Sequence, residues 1–213
     1  DFHLGLSSAH AYEAAPLGWI VQWRPTSFFW GSITNPESAC GAERCAPALP
    51  SLGNPALWWA GVAALAAGAC AAGRLRDGRP RPVLAGDAAL WLPRCLYPER
   101  TTVTFSTVVI APLVARAATY GVALLLGYRA RPAGPAHPRR PPGATDAARA
   151  EQPTAPSATA LLPAVDWRGV GPWAAIALVV LVAAAAAFFW PVWTAQIIPF
   201  EQWQWRMWLP SWV

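Results

Sequence analysis

The feature that most constrains this chain is an apolar run over residues 170–193, whose centre reads IALVVLVAAAAAFFW. A helix needs about 20 mostly apolar residues to cross the roughly 30 Å hydrocarbon core of a bilayer, and this run is long enough. Charged residues make up only 13% of the 213 residues, about half the share of a typical soluble domain. The sequence therefore predicts a membrane protein.

Three further apolar runs predict helices over residues 55–73, 82–97 and 101–127. The first begins at Pro55, and proline is tolerated in the first turn of a helix because its missing N–H would have no partner there. The second run is weak because it is short and contains Asp87, Pro93 and Arg94. The third is long but carries Arg116 near its middle.

The positions of the basic residues decide whether the weak run crosses the membrane. All 16 basic residues are arginine, and most fall in two groups, one after the first run and one between the third and fourth. Both groups face the cytoplasm, as the positive-inside rule prefers, only if residues 82–97 cross. We therefore predict an all-α membrane protein with four transmembrane helices. Both termini are then extracytoplasmic, with an outer loop segment over residues 1–54 and an interfacial tail over residues 194–213.

Residues 128–169 separate the third and fourth predicted helices and differ from them in composition. They are rich in Pro, Ala and Arg and hold few large apolar residues, so they cannot bury enough surface to fold alone. We predict a disordered cytoplasmic linker. The net charge of +5 does not indicate nucleic-acid binding, because the arginines flank apolar runs.

The two outer segments are dense in aromatic residues. Residues 1–54 are interpreted either as a belt that covers the bundle or as a lid over an outward-opening cavity. In the second case aromatic rings would contact sugar, and arginine would bind phosphate through its planar fork of donors. The tail carries four tryptophans around Arg206. It is either an in-plane interfacial helix or a segment that places Arg206 or Glu201 at the mouth of a ligand site.

Two cysteines in the outer loop segment, Cys40 and Cys45, are candidates for a disulfide. The exterior compartment permits disulfides, whereas two thiols without further ligands nearby leave a zinc set incomplete. The three histidines, His3, His10 and His137, are too scattered for a metal site, so we predict none.

Two charges inside predicted spans, Asp87 and Arg116, are candidates for a function. A charge that faces lipid is unfavourable by roughly 2.5–3.5 kcal/mol on insertion scales, so such residues usually serve a purpose. Their predicted depths differ by roughly 9 Å at 1.5 Å per residue. A pairing between them is possible but is not required by the pattern.

Motifs of soluble enzyme classes are absent from the sequence. It contains no GxSxG, HExxH, P-loop or GxGxxG motif, and no close pair of carboxylates on the outer side. The chemistry of the residues alone therefore does not identify this chain as an enzyme, and the sequence requires no cofactor.

Several stretches together carry a resemblance to a known family. The stretch from His10 to Glu13, then Trp19 and the pair Arg24–Pro25, resembles the outer loop of the protein O-mannosyltransferases, which reads HPYES-x-PW-x-W followed closely by RP. GNPALWW, LPRCLYPERT and the ending RMWLPSWV are similar to later segments of the same family, in the same order. The chain resembles the C-terminal four-span region of an actinobacterial-type polyprenol-phosphate-mannose–protein O-mannosyltransferase of glycosyltransferase family 39.

The resemblance implies a GT-C multi-span fold with its active site on the outer face of the plasma membrane. Such an enzyme moves mannose from polyprenyl phosphate mannose to Ser or Thr of exported proteins. Its acidic catalytic motif lies in the N-terminal half, so this chain alone should not catalyse and would need that half as a partner. The donor or rim candidates are His10, Tyr12, Glu13, Arg24, Arg100 and Arg206.

Two other interpretations remain open at this point. The chain could be a non-catalytic four-span remnant or assembly partner descended from the family, or part of another lipid-phosphate-sugar transferase with a different acceptor. The sequence does not begin with Met, and its first residues lack the basic and apolar regions of a signal peptide. We therefore expect a piece of a longer protein or a processed one.

Overall fold

The computed structural model describes residues 11–74, 77–96, 101–128 and 169–213, and within them the fold is mostly helical. The six helices are α1 (Pro36–Cys40), α2 (Pro55–Arg74), α3 (Arg81–Cys95), α4 (Ala111–Leu125), α5 (Gly171–Trp193) and α6 (Phe200–Gln204). Four short strands, β1 (Ser27–Trp30), β2 (Cys45–Ala46), β3 (Ala48–Pro50) and β4 (Ile198–Pro199), lie near the two ends of the chain. Two helices, α2 and α5, are long and apolar enough to cross a membrane.

Helix α2 begins where local chemistry favours a start. The side-chain oxygen of Asn54 accepts a hydrogen bond from the backbone N–H of Leu57 at 3.1 Å, which satisfies one of the donors left open at a helix N-terminus. Pro55 follows in the first turn. The amide of Asn54 also donates to the carbonyl of Val182 in α5 at 2.9 Å, so the same residue starts α2 and ties it to α5.

The third predicted helix differs most from its predicted bounds. Residues 101–127 were expected to be one helix, but α4 begins only at Ala111. Pro112 lacks the N–H that would bond back to residue 108, and its ring crowds that carbonyl, so a helix cannot run through it undisturbed. The preceding stretch is rich in Thr and Val, which favour extended backbone. It forms a β-bridge at Val103 and then a 3-10 helix over Thr104–Val109.

Helices α2 and α4 form the close-packed centre of the bundle. Gly61 of α2 lies directly against Val114 of α4, and a Cβ atom at Gly61 would lie 2.4 Å from Val114 Cγ1 and 2.5 Å from its carbonyl oxygen. Trp58, Ile110 and Val114 are buried together beside this contact. The absence of a side chain at Gly61 therefore sets how near the two helices approach.

The segments at the two ends of the chain fold together into one unit, which we call the aromatic module (residues 11–54 and 194–213). β1 pairs with β3 within the first segment, and β2 pairs antiparallel with β4 of the second. The indole N–H of Trp212 donates to the carbonyl of Gln22 at 2.7 Å. Residues from both segments enclose the last turns of α5, where Phe189 and Val192 are buried. The sequence analysis predicted a separate outer loop segment and tail, whereas in the structure the two segments pack together.

The tail does not form one continuous in-plane helix. It consists of β4, the five-residue α6 and a 3-10 helix over Pro210–Trp212. Trp203 and Trp212 are buried in the module, while Trp205 and Trp208 are exposed. Two of the four tail tryptophans therefore pack inside the module, and the other two are exposed on its surface.

Candidate functional site

Three of the predicted rim residues, Tyr12, Glu13 and Arg24, lie where the N-terminal segment meets the stretch before α4. The backbone N–H of Ala14 donates to the carbonyl of Thr102 at 2.8 Å, and the Thr102 hydroxyl donates to the carbonyl of Ala14 at 2.8 Å. Glu13 forms an antiparallel bridge with Val103. These contacts fix the backbone of Glu13 while leaving its side chain exposed.

Arg24 is held at the same place by a second threonine. The Thr104 hydroxyl donates to the carbonyl of Arg24, and Thr104 itself is only 2% exposed. Two residues later, the backbone N–H of Thr26 donates to the Ser51 hydroxyl at 2.8 Å. The backbone on either side of Arg24 is therefore fixed, while its guanidinium is exposed.

The backbones of Glu13 and Arg24 thus both contact one short segment, residues 101–104, and Tyr12 directly precedes Glu13. We call this group, with the segment, the rim. Two aromatic rings lie next to the rim. The ring centroids of Phe28 in β1 and Phe105 are 5.9 Å apart, and both rings are about half exposed. The rim therefore contains an exposed cation, carboxylate, phenol and apolar ring surface.

Two of the six predicted rim residues, His10 and Arg100, lie outside the described residues. Arg206 is described and lies within the aromatic module. It is 9% exposed and donates to the carbonyls of Phe188 and Gln202, with its guanidinium carbon 4.7 Å from the centre of the Phe188 ring. This burial lowers the pKa of the guanidinium. Arg206 joins the tail to the end of α5 and is a packing residue.

The cysteines of the outer loop segment are joined in the structure. Cys40 and Cys45 form a disulfide with their Cα atoms 6.1 Å apart, and Gly41 between them has a φ of 70°, in the left-handed region that glycine adopts readily. Cys45 lies in β2, which pairs with the tail strand β4. The disulfide loop therefore adjoins the junction between the two segments of the module.

The two charges predicted to lie inside spans, Asp87 and Arg116, are not brought together. Within the part of the chain that the structure describes, Asp87 and Arg116 form no ion pair, and the side chain of Arg116 is exposed. Asp87 instead lines a cavity between α2, α3 and α4. A third charge of this region, Arg94 of α3, lies over the ring of Trp19 at 5.5 Å.

Sequence reasoning missed three side chains that fix this architecture: Thr102, Thr104 and Asp77. The two threonines donate hydrogen bonds to carbonyls 80 and 88 positions away in the sequence, so no local sequence pattern predicts these contacts. Asp77 had a detectable signal, because it is the only acidic residue among the arginines that follow the first apolar run. No group of three or more His, Cys, Asp or Glu able to hold a metal ion occurs among the described residues.

Comparison with known proteins gives relatives over nearly the whole chain. A curated protein of Mycobacterium tuberculosis named polyprenol-phosphate-mannose–protein mannosyltransferase is 28% identical over 216 residues. A protein of the same name from Mycolicibacterium smegmatis is 27% identical over 219 residues. Each match covers 99% of this chain but 35% of the relative, so the chain spans about a third of their length. The resemblance drawn from the motifs is confirmed. No family model and no solved structure matches the chain.

Proposed function

We propose that this chain is the C-terminal, four-span part of a membrane mannosyltransferase that transfers mannose from polyprenyl phosphate mannose to Ser or Thr of exported proteins. The observation that carries the proposal is the likeness along 99% of the chain to two proteins whose name states that donor and a protein acceptor. The N-terminal half of the same enzyme would supply the acidic catalytic motif.

Four spans are proposed for α2 to α5, with the aromatic module on the outer face of the plasma membrane. The 20 residues of α2 and 23 of α5 correspond to about 30 and 35 Å at 1.5 Å per residue. The 15 residues of α3 and of α4 give only about 22 Å. A 3-10 helix lengthens α4 at its outer end, and a bilayer can thin around a short span such as α3.

The direction of the helices supports this topology. The indole N–H of Trp91, near the end of α3, donates to the carbonyl of Pro16 in the module at 2.9 Å. The start of α4 follows the rim, and the end of α5 lies in the module core. Arg74, Arg79 and Arg81 lie at the other ends of α2 and α3, where the positive-inside rule favours the cytoplasm. Both termini of the chain are then extracytoplasmic.

The rim offers the interactions that a lipid-phosphate-sugar donor requires. When mannose leaves, negative charge grows on the polyprenyl phosphate oxygen, and an arginine fork stabilises such charge through paired, charge-assisted hydrogen bonds. Arg24 is the described rim residue suited to that role. Tyr12 and Glu13 would contact the sugar or the acceptor hydroxyl, and the exposed rings of Phe28 and Phe105 would pack on the apolar face of the sugar.

Donor kinetics of the protein that carries this chain test the proposal. Arg24→Gln and Arg100→Gln should each raise the KM for polyprenyl phosphate mannose by roughly 10- to 100-fold, since hydrogen bonds to charged groups contribute about 1.5–3 kcal/mol. Arg74→Gln removes an exposed arginine at the opposite end of α2 and is the matched control. Unchanged donor kinetics in both Arg24→Gln and Arg100→Gln would overturn the assignment of the rim.

A further inference from the structure

A cavity of about 290 Å³ lies within the bundle, between α2, α3, α4 and the 3-10 helix Pro16–Val21. This volume is near the lower end of the range for small-molecule sites. Its walls are apolar apart from one carboxyl group, that of Asp87. The residues that shape it include Trp19, Trp58, Val62, Ala88, Trp91 and Val114.

Three tryptophans line this cavity with their polar atoms already occupied. The indole N–H of Trp58 donates to the carbonyl of Trp19 at 3.0 Å, and that of Trp19 to Ala14 at 3.1 Å. The N–H of Trp91 donates to Pro16. The indoles therefore contribute ring surface to the cavity, whose π-electrons attract cations, and they supply no donor to a carboxyl group.

One oxygen of Asp87 is unsatisfied. Among the described residues, Oδ2 of Asp87 is buried without a hydrogen-bond partner, and no basic side chain there pairs with it. Arg94, two turns further along α3, lies over the Trp19 ring. A buried polar group left without a partner is unfavourable, so a ligand that donates to Oδ2 would be favoured over one that does not.

We propose that this cavity is a binding site for a lipophilic amine, a molecule with an apolar body of about ten heavy atoms and one ammonium group. The ammonium would donate to Oδ2 of Asp87 and neutralise its charge, and the apolar body would fill the space between the three indoles. A neutral alcohol of the same size would satisfy the oxygen without the attraction between opposite charges and between cation and ring. The cavity contains none of the rim residues, and binding to it is measured without the proposed transferase activity.

Equilibrium dialysis against the protein in phosphatidylcholine nanodiscs tests this site, with empty nanodiscs subtracted. The probes are 4-phenylbutylamine and 4-phenylbutanol, which differ only in the group offered to Asp87. The amine should bind at least about tenfold more tightly than the alcohol, as expected for a desolvated cation beside aromatic rings. Asp87→Asn should abolish most of this difference while the alcohol still binds. Glu43→Gln, which changes an exposed carboxylate away from the cavity, should leave the difference intact.

A second variant keeps the test decisive if Asp87→Asn fails to fold. Ala88→Leu adds volume to the cavity wall and should weaken binding of both probes. Equal affinity of amine and alcohol for the unaltered protein would overturn the proposal. So would an Asp87→Asn variant that keeps the preference, or an Ala88→Leu variant that binds both probes as before. None of these results depends on mannose transfer, so the proposed function stands or falls separately.

Discussion

Among single residues, Asp77 joins the loop after α2 to the end of α4, at the end of the bundle opposite the aromatic module. Its carboxylate accepts hydrogen bonds from the Arg79 guanidinium at 2.8 to 3.1 Å and from the Tyr120 hydroxyl at 3.1 Å. Arg79 also donates to the carbonyl of Tyr128 at 3.0 Å. The loop after α2 is thereby fastened to the last turns of α4.

The Asp77 carboxylate predicts a pH dependence of stability. The Arg79 hydrogen bonds lower its pKa from 3.8 to about 2, so between these values the unfolded chain binds more protons than the folded one. The stabilisation is full above about pH 4 and is lost as pH falls towards 2. Because the Arg79 side chain is partly exposed, water screens the pair, and we expect a contribution of about 1 kcal/mol. Asp77→Asn should lower the unfolding temperature at pH 7, and the gap to the unaltered protein should close below pH 4.

Thermal unfolding followed by tryptophan fluorescence in detergent measures this gap at several pH values. Glu43→Gln, at an exposed position of the aromatic module, is the control and should leave the curve unchanged. A gap for Asp77→Asn that stays constant from pH 7 to pH 2 would show that the carboxylate charge is not what fastens the loop.

At the scale of elements, the helices are far more predictable than the contacts between the chain's ends. The apolar runs predict α2 and α5 to within one residue at each end, because length and hydropathy are local properties. The pairing of β2 with β4 has no such signal, since two-residue strands are too short to show an alternating pattern. Pro112 was a local signal for the late start of α4. The prediction instead followed the length of the apolar run and placed the start of the helix at residue 101.

The contact between α2 and α4 predicts opposite effects for two glycines of one helix. Gly61→Ala places a Cβ against Val114 side-chain and backbone atoms, so it should destabilise the protein by about 1–3 kcal/mol, as overpacking does. Gly73→Ala has open space around it and should stabilise α2 by up to about 1 kcal/mol, because alanine favours a helix over glycine. Chemical denaturation in detergent should separate the two variants, and equal stability would mean that α2 and α4 are not close-packed at Gly61.

In the molecule as a whole, the proposed topology requires the aromatic module and the loop after α2, which contains Asp77, to lie on opposite sides of the membrane. The pattern of arginines predicts this arrangement from sequence. The rim was not predictable in the same way, because it arises from contacts between residues 11–26 and 101–104, which are distant in the sequence. Arg24 and Glu13 were found through a family motif, whereas the threonines that hold them were not. A site assembled by long-range hydrogen bonds leaves little trace in local sequence.

Cysteine labelling in intact cells tests the topology. Ser32→Cys, in the exposed part of the module, should react with a membrane-impermeant maleimide added outside. Gly78→Cys, in the loop after α2, should react only after the cells are opened. Cys70 and Cys95, which are free in the structure, are first replaced by alanine. Labelling of both introduced cysteines from the outside would contradict four spans.

The proposed transferase activity can be measured as mannose transfer to a peptide. Membranes containing the protein that carries this chain would be given radiolabelled polyprenyl phosphate mannose and a peptide with a single Thr, or the same peptide with Ala in its place. The account predicts label in the Thr peptide alone, and less of it when Arg24 is replaced by Gln. Label in neither peptide, above membranes that lack the protein, would contradict the account.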